Sequence, residues 1–305
     1  MASLYSQKAR NIRKTWFIFL VFLIVVIGIG WIFSAYYGNP SILYFAVGFS
    51  VLMNVLAYWF SDKMVLAMAK GREVSREDAR DLYNVVENLC IGAGLPVPKI
   101  YIIDEPAPNA FATGRDPKHA ALAVTSGLLG RLNKSELEGV IAHELSHIGN
   151  RDMLLSTVIV VLVGFISILS DFFMRSMIWG GGRRRNSNSE GGGGIFLILA
   201  IAASIIAPIA ATLMRLAISR RREFLADASG ALLTRYPEGL ANALVKISHD
   251  PTPLPVANNT TAHLWFDDPF SYEGGPKEKT PWLHKLFMSH PPVEERLKAL
   301  KGMKV

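Results

Sequence analysis

The residue pattern predicts a mainly α-helical integral membrane protein, in which four transmembrane helices are joined to an α+β part with a small sheet and one helix bearing His-Glu-x-x-His. Two observations carry this expectation. Half of the 305 residues are hydrophobic and the mean hydropathy is +0.28, a composition seldom met in a wholly soluble chain. Four uncharged apolar runs, Trp16 to Tyr37, Ile42 to Phe60, Met153 to Ser170 and Ile195 to Met214, each approach the roughly 20 residues that cross a bilayer core. The intervening polar stretches, 63–152 and 217–305, are together long enough to bury a core of their own.

In chain order, Lys8, Arg10, Arg13 and Lys14 precede the first apolar run, which is longer than the core of a cleaved leader and is read as an anchor. Cationic flanks stay on the cytoplasmic side, so the N-terminus is expected in the cytoplasm, Gly38-Asn39-Pro40 outside, and the polar chain from Lys63 back in the cytoplasm. Ser75 with Asp78 starts an amphipathic helix carrying Ala79, Leu82, Val86 and Leu89, which stops at Gly92-Ala93-Gly94 before Pro96. The lone Cys90 excludes an internal disulfide and a cysteine-based metal site, and its neighbours Leu82, Val85, Val86 and Leu89 mark it as core. Lys99 to Asp104, Asn109 to Gly114 and Ala120 to Thr125 read as strands of a small, mostly antiparallel sheet, with a turn at Arg115-Asp116-Pro117.

The next helix carries the chemistry. Asn133 or Ser135 can cap it, with Glu136 or Glu138 in capping-box position. Leu137, Ile141, Leu145 and Ile148 form its apolar stripe, and Gly149-Asn150 is its stop. His143 and His147 share a face because residues i and i+4 lie one above the other, so both imidazoles reach one metal ion. Glu144 beside them is placed to take a proton from a metal-activated water. Such a centre needs a third protein ligand. Candidates are His119, His249, His263, His284, His290 and the carboxylates, of which Glu223 with Asp227 at i+4 offers a ligand and an acceptor for an imidazole N–H.

Residues 180–194, rich in glycine and arginine, have the composition of a flexible linker and are expected to be disordered. Without interleaved aromatics the arginines point to solvent or lipid contact, and no nucleic acid is expected as a partner; the net charge of +7 suits anionic lipid. Pro208 kinks the fourth run. Glu223, Ala226, Asp227 and Gly230 share a face on what reads as its continuation. A further helix is expected over 237–248, irregular chain over 251–270, and two short helices at the end, the second after His290-Pro291-Pro292. The resulting units are a membrane hairpin (1–62), a first catalytic part (63–152), a second membrane pair with its loop (153–216) and a second catalytic part (217–305).

Four motifs in this order, Asn109-Ala110-Phe111-Ala112-Thr113-Gly114, His143-Glu144-Leu145-Ser146-His147, Glu223-Phe224-Leu225-Ala226-Asp227 and Ser289-His290-Pro291-Pro292 with Arg296, resemble the HtpX-type membrane zinc metalloproteases, relatives of the CAAX prenyl proteases. The resemblance covers nearly the whole chain. It implies a zincin-like catalytic domain with one Zn2+ per chain, Glu223 as third ligand, Asp227 as its neighbour's acceptor, Asn109 and His290 as stabilisers of the reacting substrate, and Arg296 organising them. It further implies an enzyme of an inner (plasma) membrane of prokaryotic type, with the catalytic domain in the cytoplasm, that removes misfolded or damaged membrane proteins in stress. The substrate is expected to add as a strand along Ala110, Phe111, Ala112, Thr113 and Gly114. Alternatives are a specific processing protease of membrane-associated substrates and a non-catalytic metal-binding scaffold, which would have no use for Glu144. A shared metal also requires an even number of crossings between His143 and Glu223.

Overall fold

The computed structural model describes residues 4–180, 219–258, 260–267, 269 and 290–303. The fourth apolar run, the linker beyond residue 180, and the first of the two expected C-terminal helices lie outside the described residues.

Two long helices, α1 (Leu4–Tyr37) and α2 (Ser41–Met68), form an antiparallel pair. Among the described residues these two are long and apolar enough to cross a membrane, with mean hydropathies of 2.9 and 1.8. They close tightly where Gly30 faces Ala46: a Cβ on Gly30 would fall 2.2 Å from the Ala46 Cβ, the small-residue contact that lets membrane helices approach. Trp16, Phe19, Tyr58 and Trp59 cluster at one end. Trp31, Tyr36, Tyr37 and Tyr44 are exposed towards the other. Twenty residues of helix separate Trp16 from Tyr36, about 30 Å at 1.5 Å per residue, the thickness of a bilayer core between two aromatic belts.

The polar part begins with β1 (Arg72–Glu73) and α3 (Arg80–Ala93). Ser75 and Asp78 do bond to each other, in a turn just before α3, and Gly94 ends that helix in the left-handed region at φ 64°. Then come β2 (Lys99–Ile103), β3 (Ala110–Gly114), β4 (Ala120–Thr125) and the short α4 (Ser126–Arg131). The sheet order is β1-β2-β4-β3. Two of the three pairings, β1–β2 and β3–β4, are antiparallel, as a mostly antiparallel sheet requires, but β4 folds back on β3 as a hairpin and inserts beside β2, and that central pair runs parallel. β1, two exposed residues paired with β2, is too short to leave a pattern. β3 lies at the sheet edge although every one of its residues is buried.

Helix α5 (Lys134–Asn150) carries His143 to His147 and opens on a full capping box, Asn133 with Glu136. It ends at Arg151, whose φ of 55° is left-handed. There the chain turns by 85° into α6 (Asp152–Gly180), whose buried Leu155, Ile159 and Leu162 pack with Ile18, Phe22 and Ala57 of the membrane pair. The bent α5–α6 pair is apolar enough to count as a third span only as a unit.

The remaining helices are α7 (Arg220–Thr234), α8 (Pro237–Ser248) and α9 (Val293–Lys301). α7 starts at Arg220 after an extended Ser219, with φ −148°, and the fourth run, of which the sequence reads it as the continuation, lies outside the described residues. α5 is the hub, packed on α3, β3, α7 and α8. Gly139 permits one of these contacts, since a Cβ there would fall 2.7 Å from the Leu240 backbone nitrogen of α8. Val140, Ile141, Leu145 and Ile148 of α5 join Leu122, Val124, Ala231, Leu244 and Leu300 in one core. Polar groups of α5 on its other face are thereby presented to a cavity shared with α6 and α7.

Candidate metal centre

On α5, His143 and Glu144 are buried and His147 nearly so. Across from them α7 brings Glu223. His143 Nε2 and His147 Nε2 each stand 3.7 Å from a Glu223 carboxylate oxygen, and 3.2 Å from each other. One ligand atom from each of the three residues falls within 4.8 Å of the others. Two imidazoles and one carboxylate converging on a point, with a cavity on the remaining side, are a donor set for a divalent ion that keeps an open position.

Each imidazole has its outer nitrogen occupied. His143 Nδ1 lies 2.9 Å from Asp227 Oδ1, one turn along α7 from Glu223. Asp227 is itself gripped by Arg296 of α9, through Nε at 2.8 Å and Nη2 at 2.7 Å, the two-pronged geometry that makes arginine–carboxylate pairs strong. Burial alone would raise the Asp227 carboxyl; the guanidinium outweighs it and holds it at about 2. Arg296 also donates to the Phe266 carbonyl at 3.3 Å and lies over the Phe266 ring. For His147 the outer partner is Asp152, with Oδ2 3.4 Å from Nδ1.

Burial pushes the Glu144 carboxyl up against the pull of His143 and His147, and the Ala112 backbone N–H bonds to it. Burial would also raise Glu223, but His290 and both site imidazoles hold it well below the usual carboxylate range. His290 Nδ1 sits 3.0 Å from Glu223 Oε2, while its Nε2, buried on the cavity wall, has no hydrogen-bond partner among the described residues. Asn109 is engaged with the chain itself: its Nδ2 donates to the Asp267 carbonyl at 3.0 Å, and its Oδ1 accepts from the Asp267 and Ala110 N–H groups. Phe266 N–H donates to the Ala110 carbonyl at 2.8 Å. The outer edge of β3 is thus met by 266–267 at Ala110 and by Glu144 at Ala112, while Thr113 ties β3 to Thr157 of α6 at 3.0 Å.

The sequence model of Peptidase family M48 matches residues 76–304, which takes in all of these groups except the membrane pair. The chain belongs to Peptidase family M48. It is 44% identical over 306 residues to "Protease HtpX homolog" of Caldanaerobacter subterraneus subsp. tengcongensis, covering 99% of both chains. It is 46% identical over 304 residues to the protein of the same description from Thermoanaerobacter pseudethanolicus, covering 99% of this chain and 98% of that one. Among solved structures, the crystal structure of S. mikatae Ste24p is similar in fold at a TM-score of 0.51 and 20% identity, over 94% of this chain and 66% of that chain. This M48 chain is accordingly a metalloprotease and a membrane protein.

Of the motif residues quoted above, His143, Glu144, His147, Glu223 and His290 line one cavity, while Asp227 stands behind His143 and Arg296 behind Asp227. His263 was in the sequence one candidate ligand among several; it lines the cavity without joining the ligand set. Its Nε2 is 3.4 Å from the Ser156 carbonyl, and burial drives it down to about 4, so it stays neutral. Asp152 escaped the sequence reading altogether. It stands five residues after His147, a spacing that no straight helix would bring onto the same face, and its only signal was its place just past a helix stop.

Proposed function

We propose that the chain is a zinc-dependent membrane endopeptidase that cleaves misfolded or damaged membrane proteins on the cytoplasmic side of a multi-pass membrane domain. The observation that carries this reading is the convergence of His143, His147 and Glu223 within 4.8 Å, with Glu144 buried beside them. Two histidines and a glutamate with a free fourth side are the ligand set of catalytic rather than structural zinc. A zinc ion bound there supplies Lewis acidity and a water of lowered pKa.

The chain's own residues do the rest. Glu144, its carboxyl raised by burial, accepts the proton of the attacking water and passes it to the leaving nitrogen, a base tuned towards neutrality as such transfer requires. Asp227 and Arg296 hold His143 so that Nδ1 keeps its proton and Nε2 faces the ion. His290 Nε2 donates to the oxygen on which negative charge develops. The substrate lies along the outer edge of β3 near Ala112, its backbone pairing with the strand whatever its side chains, and Asn109 exchanges its bonds to Asp267 for bonds to substrate. Damaged membrane proteins share no sequence, and recognition by backbone suits them. The remaining two apolar runs complete four membrane segments.

The test is full-length protein purified as wild type and Glu144→Gln. Both are expected to hold one zinc, and proteolysis of casein or of itself is expected only from the wild type. Full proteolysis by Glu144→Gln sinks the mechanism. Mass spectrometry of membrane fragments from cells with each protein identifies the substrates.

A further inference from the structure

The first membrane helix reaches the metal centre. Asn11 on α1 is 2% exposed and its Nδ2 donates to Asp152 Oδ1, a buried contact between residues 141 apart in sequence. The other oxygen of the same carboxylate faces His147 Nδ1. Thr15, one turn on, donates to the Asn11 carbonyl at 3.0 Å, which keeps this part of α1 saturated with internal bonds. We propose that Asp152 is the positioning residue of His147 and that Asn11 holds Asp152 in place, so that docking of the N-terminal membrane helix sets the affinity of the metal site. The inference rests on the zinc reading above.

Two features argue that this chain of contacts is built rather than incidental. The first is its parallel with the other imidazole. His143 has a carboxylate on its outer nitrogen, Asp227, and that carboxylate is held by Arg296. His147 has Asp152, held by Asn11. An imidazole that offers Nε2 to a metal must carry its proton on Nδ1 and needs an acceptor there; each histidine has one, and each acceptor has a keeper from a distant element.

The second is the backbone at Arg151. In a continuing helix, residue 152 would stand about 140° around the axis from His147 at 3.6 residues per turn, out of reach of its ring. Arg151 instead adopts φ 55°, the left-handed helix end that Arg235 also makes after α7. The resulting 85° bend starts α6 with Asp152 turned back onto His147 and, on its other side, towards α1. One bend therefore both places the acceptor and joins the catalytic part to the membrane pair.

The experiment is a double-mutant cycle on zinc affinity, using full-length protein in detergent and competition against a chromophoric chelator, with the melting temperature of the metal-free form read in parallel. Asp152→Ala is expected to weaken zinc about 10- to 100-fold, the usual size of losing an acceptor behind a ligand. Asp152→Asn keeps an oxygen that can accept from Nδ1–H and should lose less, which also guards against a misfolded alanine variant. Asn11→Leu, equal in shape but without a donor, is expected to weaken zinc several-fold in the wild-type background and to have no further effect when Asp152 is already alanine. A merely structural role lowers the metal-free melting temperature and leaves zinc affinity unchanged in both variants, which overturns the proposal. Additive losses from Asn11→Leu and Asp152→Ala overturn the link to α1. If the wild type itself bound no zinc, the metalloprotease chemistry would fail first, a result distinct from either.

Discussion

His290 illustrates how much a single side chain's role depends on where both of its nitrogens end. Before a Pro-Pro turn the local sequence alone favours a helix cap, but α9 starts after Pro292 without any side-chain cap bond. Nδ1 bonds to Glu223 and Nε2 is left on the cavity wall. Burial opposes protonation of this ring, and the Glu223 carboxylate outweighs it, so its pKa is raised. A donor that acts when charge develops on the substrate is worth most in that state. His290→Ala is accordingly expected to keep zinc and KM while kcat falls about 10²- to 10³-fold. Zinc content and kcat measured on one preparation check this, and an unchanged kcat removes His290 from the chemistry.

At the scale of elements, the centre is a product of how closely α7 packs on α5. Glu223 and Asp227 meet the two histidines only because Gly230, further along α7, lets the helices touch: a Cβ there would stand 3.0 Å from the His143 backbone nitrogen and 3.3 Å from the Ala142 carbonyl carbon. Gly230→Ala must therefore push α7 outward by some tenths of an ångström, and it carries Glu223 with it. The expected outcome is a stability loss of about 1–3 kcal/mol, the usual cost of overpacking, together with several-fold weaker zinc binding. Calorimetry and chelator titration on the same variant test both; a variant with lowered stability and wild-type affinity would show that the ligands adjust independently of the helix contact. β3 makes the complementary point. It is an edge strand, the place proposed for the substrate, and the packing of α5, α6 and 266–267 around it would restrict where a substrate could lie.

At the scale of the molecule, a metal shared by His143 and Glu223 constrains the membrane topology, because both must stand on one side however the chain between them runs. The proposed side is the cytoplasm, from the positively charged residues ahead of the first span. Single cysteines at Ser126 and Ser248 in a Cys90→Ala background are then expected to react alike with an impermeant reagent, only after the membrane is opened from the cytoplasmic side. Labelling of the two positions from opposite sides would break the shared centre. The polar domain is built from two stretches of the chain: α3 and α5 come from one, α7, α8 and α9 from the other, and their apolar faces meet in one core.

Much of this was legible in the residues. The apolar runs that became α1 and α2, the capping box at Asn133 and Glu136, and the bounds of the 237–248 helix follow from local periodicity and capping, interactions within one turn of helix that sequence spacing expresses directly. The pairing of His143 with His147 is legible for the same reason, and Glu223 with Asp227 through the motif. Other features are decided only by tertiary structure. The parallel β2–β4 pair depends on which side of β2 the hairpin docks, and no residue of the strands encodes that. The stop at Gly149-Asn150 is legible in the sequence, but the 85° direction of the turn at Arg151 goes with the packing of α6 against the membrane pair. Asp152 and Asn11 meet across 141 positions, where sequence distance carries no information and only the folded chain brings a membrane helix to the edge of the metal site.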